Sequence, residues 1–97
     1  MIETLEGDYN ANGLRFGVVV SRFNDFITSN LLTGALEGFK ESGVNETDLK
    51  ILKVPGAFEI PQAAKKLCST DRFDAIVCLG AVIRGDTPHF NYICAET

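Results

Sequence analysis

Arg15-Phe-Gly-Val-Val-Val-Ser21 is the stretch that decides the fold. Its β-branched run carries no polar alternation, which predicts a strand covered on both faces. Downstream the apolar period changes. After Asn24-Asp25, a capping pair by residue type, apolar residues recur at Ile27, Leu31, Leu32, Ala35, Leu36 and Phe39. That spacing predicts a helix with one core-facing stripe, and Gly43 is suited to stop it. Leu49-Lys-Ile-Leu-Lys-Val54 alternates more, which places a second strand nearer a sheet edge, and Pro55-Gly56 breaks it. A second helix is expected from about Phe58, with Pro61 tolerable in its first turn and Ala63, Ala64 and Leu67 facing inward. Asp74-Ala-Ile-Val-Cys-Leu79 is apolar enough for a third buried strand, and a loop from Gly80 to Thr87 leads to a helix beginning near Pro88.

Strands alternating with helices over short loops argue for right-handed crossovers, hence an α/β fold with a parallel sheet. Ninety-seven residues suit one domain, spanning 1–97. The last helix has only begun at Thr97, and the third strand has no further strand to lie beside it. An apolar strand with an open edge is a liability. The sequence therefore predicts a domain that is incomplete on its C-terminal side, or one that depends on a partner.

Composition narrows the function. The hydrophobic share of 45% is that of an ordinary globular chain. The net charge is -4 and the basic residues are scattered, with Lys65-Lys66 the only adjacent pair, so the basic face of a nucleic-acid binder is missing. Cys68, Cys78 and Cys94 form no Cys-x-x-Cys pair, and a single histidine does not complete a zinc site around them, so no metal is expected. Reduced thiols, the lack of a secretory apolar stretch and the lack of a bilayer-length segment predict a soluble, cytoplasmic protein with no membrane partner.

In an open parallel sheet, ligands bind beyond the carboxyl ends of the strands at a switch in strand order. Ser21–Asn24, Pro55–Glu59 and Gly80–His89 must then meet at one rim. In the third segment Thr87 is a natural N-cap and Pro88 a natural first helical residue. Free amides at that helix start, with Gly85 permitting close approach, favour an anion such as phosphate. Arg84 either adds charge there or pairs with a surface carboxylate. The Gly-x4-Gly-Asp-Thr spacing imitates a P-loop, but Asp86 stands where the lysine belongs, which excludes a nucleotide triphosphate site. His89 is of the residue type best suited to proton transfer near neutrality; a positive helix end disfavours an imidazolium and a bound phosphate favours one. Phe23 is either a staple against the following helix or a platform for a flat heteroaromatic ligand. Glu59 at a helix start complements the dipole, and Phe58 reads as core.

Phe16-Gly-Val-Val-Val-Ser-Arg-Phe-Asn24, Val54-Pro-Gly-Ala-Phe-Glu-Ile-Pro61 and Leu79-Gly-Ala-Val-Ile-Arg-Gly-Asp-Thr-Pro-His-Phe90 closely resemble three signature segments of the lumazine synthases, in the same order and at matching separations. The resemblance covers essentially the whole chain. It implies a flavodoxin-like three-layer sandwich with a fourth strand and C-terminal helices that this chain lacks, assembled as a homo-pentamer or larger shell. It further implies condensation of 5-amino-6-ribitylamino-uracil with 3,4-dihydroxy-2-butanone 4-phosphate to 6,7-dimethyl-8-ribityllumazine, with no metal or redox cofactor. By the same resemblance, Phe23 stacks on the pyrimidine, and Ala57, Phe58 and Glu59 line the ribityl and ring pocket. Ala81, Val82 and Ile83 meet the pyrimidine edge, Asp86 and Thr87 meet the phosphate, and His89 transfers protons. Asp86 replaces a small residue and would act through its amide. The alternative is a non-catalytic fragment that keeps only fold and subunit packing. Two unrelated flavodoxin-like roles are disfavoured: strand three ends in Cys78-Leu79-Gly80 without a phospho-acceptor aspartate, and Ser21–Asn24 contains no glycine for a flavin phosphate loop.

Overall fold

The valine run forms the middle of the sheet, and Val18 and Val19 are fully shielded from solvent. A computed structural model describes residues 2–86 and 88–97. Its elements are β1 (Phe16–Ser21), α1 (Asp25–Glu41), β2 (Leu49–Val54), α2 (Ile60–Cys68), β3 (Ala75–Leu79) and α3 (His89–Glu96), with short 3₁₀ turns at Glu46–Asp48 and Ala57–Glu59. The three strands are parallel in the order β2-β1-β3, the flavodoxin-like start of a doubly wound sheet. The alternating strand, β2, lies at an edge; β3 forms the other edge among the described residues.

Side-chain alternation along β1 assigns one helix to each face. Phe16 points to one side, where its ring meets that of Phe39 in α1 with centroids 4.8 Å apart. Gly17 points to the other, where an added Cβ would lie 2.8 Å from Ile76 Cδ1 and 3.3 Å from Leu67 Cδ1. The missing side chain is what lets α2 settle this close. Val19, on the Gly17 face, joins Val54, Ala57 and Ile60 in the core, and Ala63, Ala64 and Leu67 of α2 pack over it as the sequence predicted. Each fully buried aliphatic side chain contributes about 1.5–3 kcal/mol.

The inward row of α1 differs from the predicted stripe. Thr28 is buried and Leu32, Ala35, Leu36 and Phe39 are half-buried, whereas Ile27 and Leu31 stay exposed. The apolar arc is wider than a three-stranded sheet covers, and Ile27 and Leu31 lie about 100° round the helix from the Thr28–Leu32 row. Asn24 caps α1 by backbone shape alone. Its φ of 54° is left-handed, its side chain makes no capping bond, and its carbonyl accepts the amides of Ile27 (3.0 Å) and Thr28 (3.1 Å). Asparagine is among the few residues that tolerate this conformation. At the far end Gly43, with φ at 86°, donates to Lys40 (3.1 Å) and Val44 donates to Phe39 (3.0 Å), a Schellman stop.

At the amino-terminal rim β1 and β3 are clasped reciprocally. The Arg15 amide donates to Asp74 Oδ2 (2.7 Å) and the Asp74 amide donates to the Arg15 carbonyl (2.7 Å), with the guanidinium 3.8 Å from the same carboxylate. Asp74 is used in this clasp, so β3 starts one residue later than the apolar pattern suggested. Among the described residues, no helix is long and apolar enough to cross a membrane.

Candidate active site at the carboxyl rim

The chain leaves β1 for β2 on one side and returns past it to β3, so the order reverses at β1. A cavity of about 250 Å³ opens at that point. One wall carries Phe23 and Pro55; a second carries Gly56, Ala57, Phe58 and Glu59; the third carries Ala81, Val82, Ile83, His89 and Ile93. A larger groove of about 530 Å³ at the opposite rim, between Lys50, Leu67 and Phe73, contains none of the predicted site residues.

Phe23 owes its place to the sheet. The Arg22 amide donates to Val54 (2.7 Å) and the Phe23 amide to Pro55 (3.0 Å), so the β1–β2 ladder continues two residues past the strands. This leaves the Phe23 ring 52% exposed on the cavity instead of folded under α1 as a staple. Phe58, which the pattern read as core, is 54% exposed and lines the cavity, because the 3₁₀ turn rotates Ala57 inward and Phe58 outward. α2 therefore starts at Ile60, two residues later than expected, with the turn as its entry. Glu59 Oε2 accepts the Gly56 amide at 3.0 Å, one arm of a capping box.

The third wall rests on two contacts. An added Cβ at Gly80 would lie 2.8 Å from Ile60 Cδ1, so the missing side chain leaves that methyl its room where the loop meets α2. Ile93 packs on the core around Val19 and Ile60, and His89, one turn earlier on the same face of α3, is presented to the cavity. α3 begins at His89, with Pro88 just ahead of it instead of first within it. Thr87 lies outside the described residues. Asp86 is exposed and does not line the cavity. Arg84 makes no ion pair with a carboxylate among the described residues; its guanidinium stacks 4.8 Å over the Phe90 ring, a cation–π contact. Pro55 and Gly56 line the cavity within the segment the sequence placed at this rim. Ile93 was not read from the sequence, although its four-residue spacing from His89 would have found it.

The lining is predominantly apolar, with Glu59 and His89 its two titratable side chains. Among the described residues no three His, Cys, Asp or Glu side chains gather as a metal site, and all three cysteines are free thiols. Burial, and to a smaller extent the neighbouring Cys68, push the Cys78 thiol above its ordinary value. An apolar slot with an aromatic face, a carboxylate and an imidazole suits a flat, polar-edged ring.

A family model described as 6,7-dimethyl-8-ribityllumazine synthase matches residues 13–97. The chain belongs to that family. All three walls lie inside the matched span, whereas the acidic arm before residue 13 lies outside it. Lumazine synthases are transferases of riboflavin biosynthesis, acting on small molecules and working as assemblies.

Proposed function

We propose that this chain carries a substrate half-site for the condensation of 5-amino-6-ribitylamino-uracil with 3,4-dihydroxy-2-butanone 4-phosphate to 6,7-dimethyl-8-ribityllumazine. The observation that supports this reading is one cavity shared by Phe23, Ala57–Glu59, Ala81–Ile83 and His89. In this scheme Phe23 stacks on the pyrimidine, the Ala57–Glu59 turn takes the ribityl chain and ring, and Ala81–Ile83 meet the ring edge. Asp86 and Thr87 meet the phosphate through backbone amides, and His89 moves protons. The ring amine attacks the ketone and water is lost to give an imine. Phosphate then leaves, and the carbon chain closes onto the ribitylamine nitrogen with loss of a second water. Holding two reactants together is worth up to ~7–11 kcal/mol, and proton transfer by His89 adds roughly 10²–10⁴-fold.

One observation favours a second reading, a domain that keeps fold and subunit packing without turnover. Among the described residues no lysine or arginine lines the cavity, so a departing phosphate meets no fixed cation. The experiment that separates the readings follows lumazine fluorescence as both substrates are added, beside a titration with lumazine itself. Turnover supports the first reading and binding without turnover the second. Neither binding nor turnover sinks the first and leaves the second, fold and packing alone.

A further inference from the structure

Ser21, the last residue of β1, is 1% exposed, yet its Oγ has no hydrogen-bond partner. Among the described residues the one other buried polar side chain, Thr28, reaches the Asn24 carbonyl at 3.4 Å. A buried hydroxyl without a partner is unfavourable, and alanine would fit the same space without that cost. Its surroundings suggest why it stands there. Ser21 lies on the Gly17–Val19 face of β1, beneath the junction of two cavity walls. The point where Gly80 would carry a Cβ is 3.5 Å from Ser21 Oγ and 3.6 Å from Ala57 Cβ, and Ile60 Cδ1 already crowds it at 2.8 Å. The Gly80 backbone therefore passes close to the Ser21 hydroxyl, between Ala57 on one cavity wall and Ala81 on the next. Next to it, the 81–86 segment is held by side-chain packing, through Val82 on the core, and not by backbone bonds. Among the described residues no backbone hydrogen bond ties it to the rest of the chain, whereas the 22–23 segment is pinned twice.

We infer that Ser21 is a positioning residue whose hydroxyl, unpaired in this structure, donates to the backbone beside Gly80 when a flat ring presses on Ala57 and Ala81. Ser21 does not line the cavity, so it acts through the loop and not by touching the ligand. The inference rests on the ring-binding reading above. It explains a polar residue kept where an apolar one is more stable: the bond forms with the ring and strengthens its binding.

The test compares wild type, Ser21→Ala and the size-matched Ser21→Cys, whose thiol is a weak donor. Each is titrated with 6,7-dimethyl-8-ribityllumazine by fluorescence and melted without ligand. Ser21→Ala is expected to melt at or above the wild-type temperature while binding about 3–10-fold more weakly, with Ser21→Cys weakened alongside it. A lower melting temperature for Ser21→Ala would show an ordinary structural hydrogen bond and overturn the inference. Equal affinity in wild type and Ser21→Ala, or full affinity in Ser21→Cys, overturns it while leaving the ring-binding reading in place. A wild type that does not bind the lumazine removes the ring-binding reading, and this inference with it.

Discussion

Glu59 and His89 face the same cavity but are held differently. One oxygen of Glu59 is engaged by the Gly56 amide, which fixes the carboxylate against its own turn. Among the described residues His89 has no such tether, and the backbone of α3 sets its direction. If the imidazole shuttles protons, His89→Gln should lower kcat by roughly 10²–10⁴-fold with lumazine affinity little changed. Complete loss of turnover with binding intact would mean that the imidazole contributes more than proton transfer. Phe23 is tested through binding. Replacing it with alanine removes a stacking face worth ~0.5–1.5 kcal/mol beyond its area, so lumazine should bind up to about tenfold more weakly, and Phe23→Tyr should bind as wild type. An unweakened Phe23→Ala titration would return the residue to a role in packing alone.

Among the elements, the strands and their order were the most legible. The valine run mapped onto the buried centre of the sheet and the alternating β2 onto an edge, but β3, apolar in sequence and read as buried, lies at the other edge of the described sheet with none of its residues fully buried. Helix rotation was less so: six apolar positions in α1 did not reveal that Thr28 would lead the inward row. The three loops were legible in location, since topology brings them together, but the 3₁₀ turn that exposes Phe58 depends on the Glu59–Gly56 bond, which no periodicity encodes. Arg84 on Phe90 was hidden for the same reason, being a contact between residues six apart across a bend. Two measurements belong at this scale. Gly43→Ala forces a left-handed residue to carry a side chain and should cost ~1–2 kcal/mol, lowering Tm by about 4–8 °C per kcal/mol; an unchanged melt would mean that the Schellman stop relaxes freely. On β3, the raised Cys78 thiol makes the unfolded chain ionise first as pH rises. The folded state holds its proton longer, so the contribution is complete below the unfolded pKa and is lost as pH climbs through the folded one. Cys78→Ser should flatten the alkaline fall in a series of urea titrations between about pH 8 and 10. Parallel curves would remove the thiol from that fall.

At the scale of the whole molecule, the accessible surface is 7426 Å² against about 5,500 Å² for a compact monomer of this mass. The radius of gyration is 15.6 Å, where about 12.5 Å is usual for this length. Part of the excess is the arm before β1, which carries Ile2, Leu5 and Tyr9 in the open; part is the two uncovered edges of a three-stranded sheet. Surface of this kind favours association, in keeping with a family that works as assemblies. Sedimentation velocity at micromolar concentration should find species heavier than 10.6 kDa, and the pentamer proposed from the family resemblance corresponds to five times that mass. A single monomeric boundary would show that the arm and edges are tolerated in water.

The cavity has two walls held by backbone and one held by side chains. Phe23 is locked to the Pro55 strand extension and Ala57 to a hydrogen-bonded turn, while the His89 wall is held by side chains, Val82 and Ile93 on the core and Arg84 on Phe90, with Gly80 against Ile60. Such a site breathes asymmetrically. Amide deuteration should run fastest through 81–86 and the first turn of α3, with 22–23 and α2 lagging well behind, so that a ligand enters and departs past the histidine.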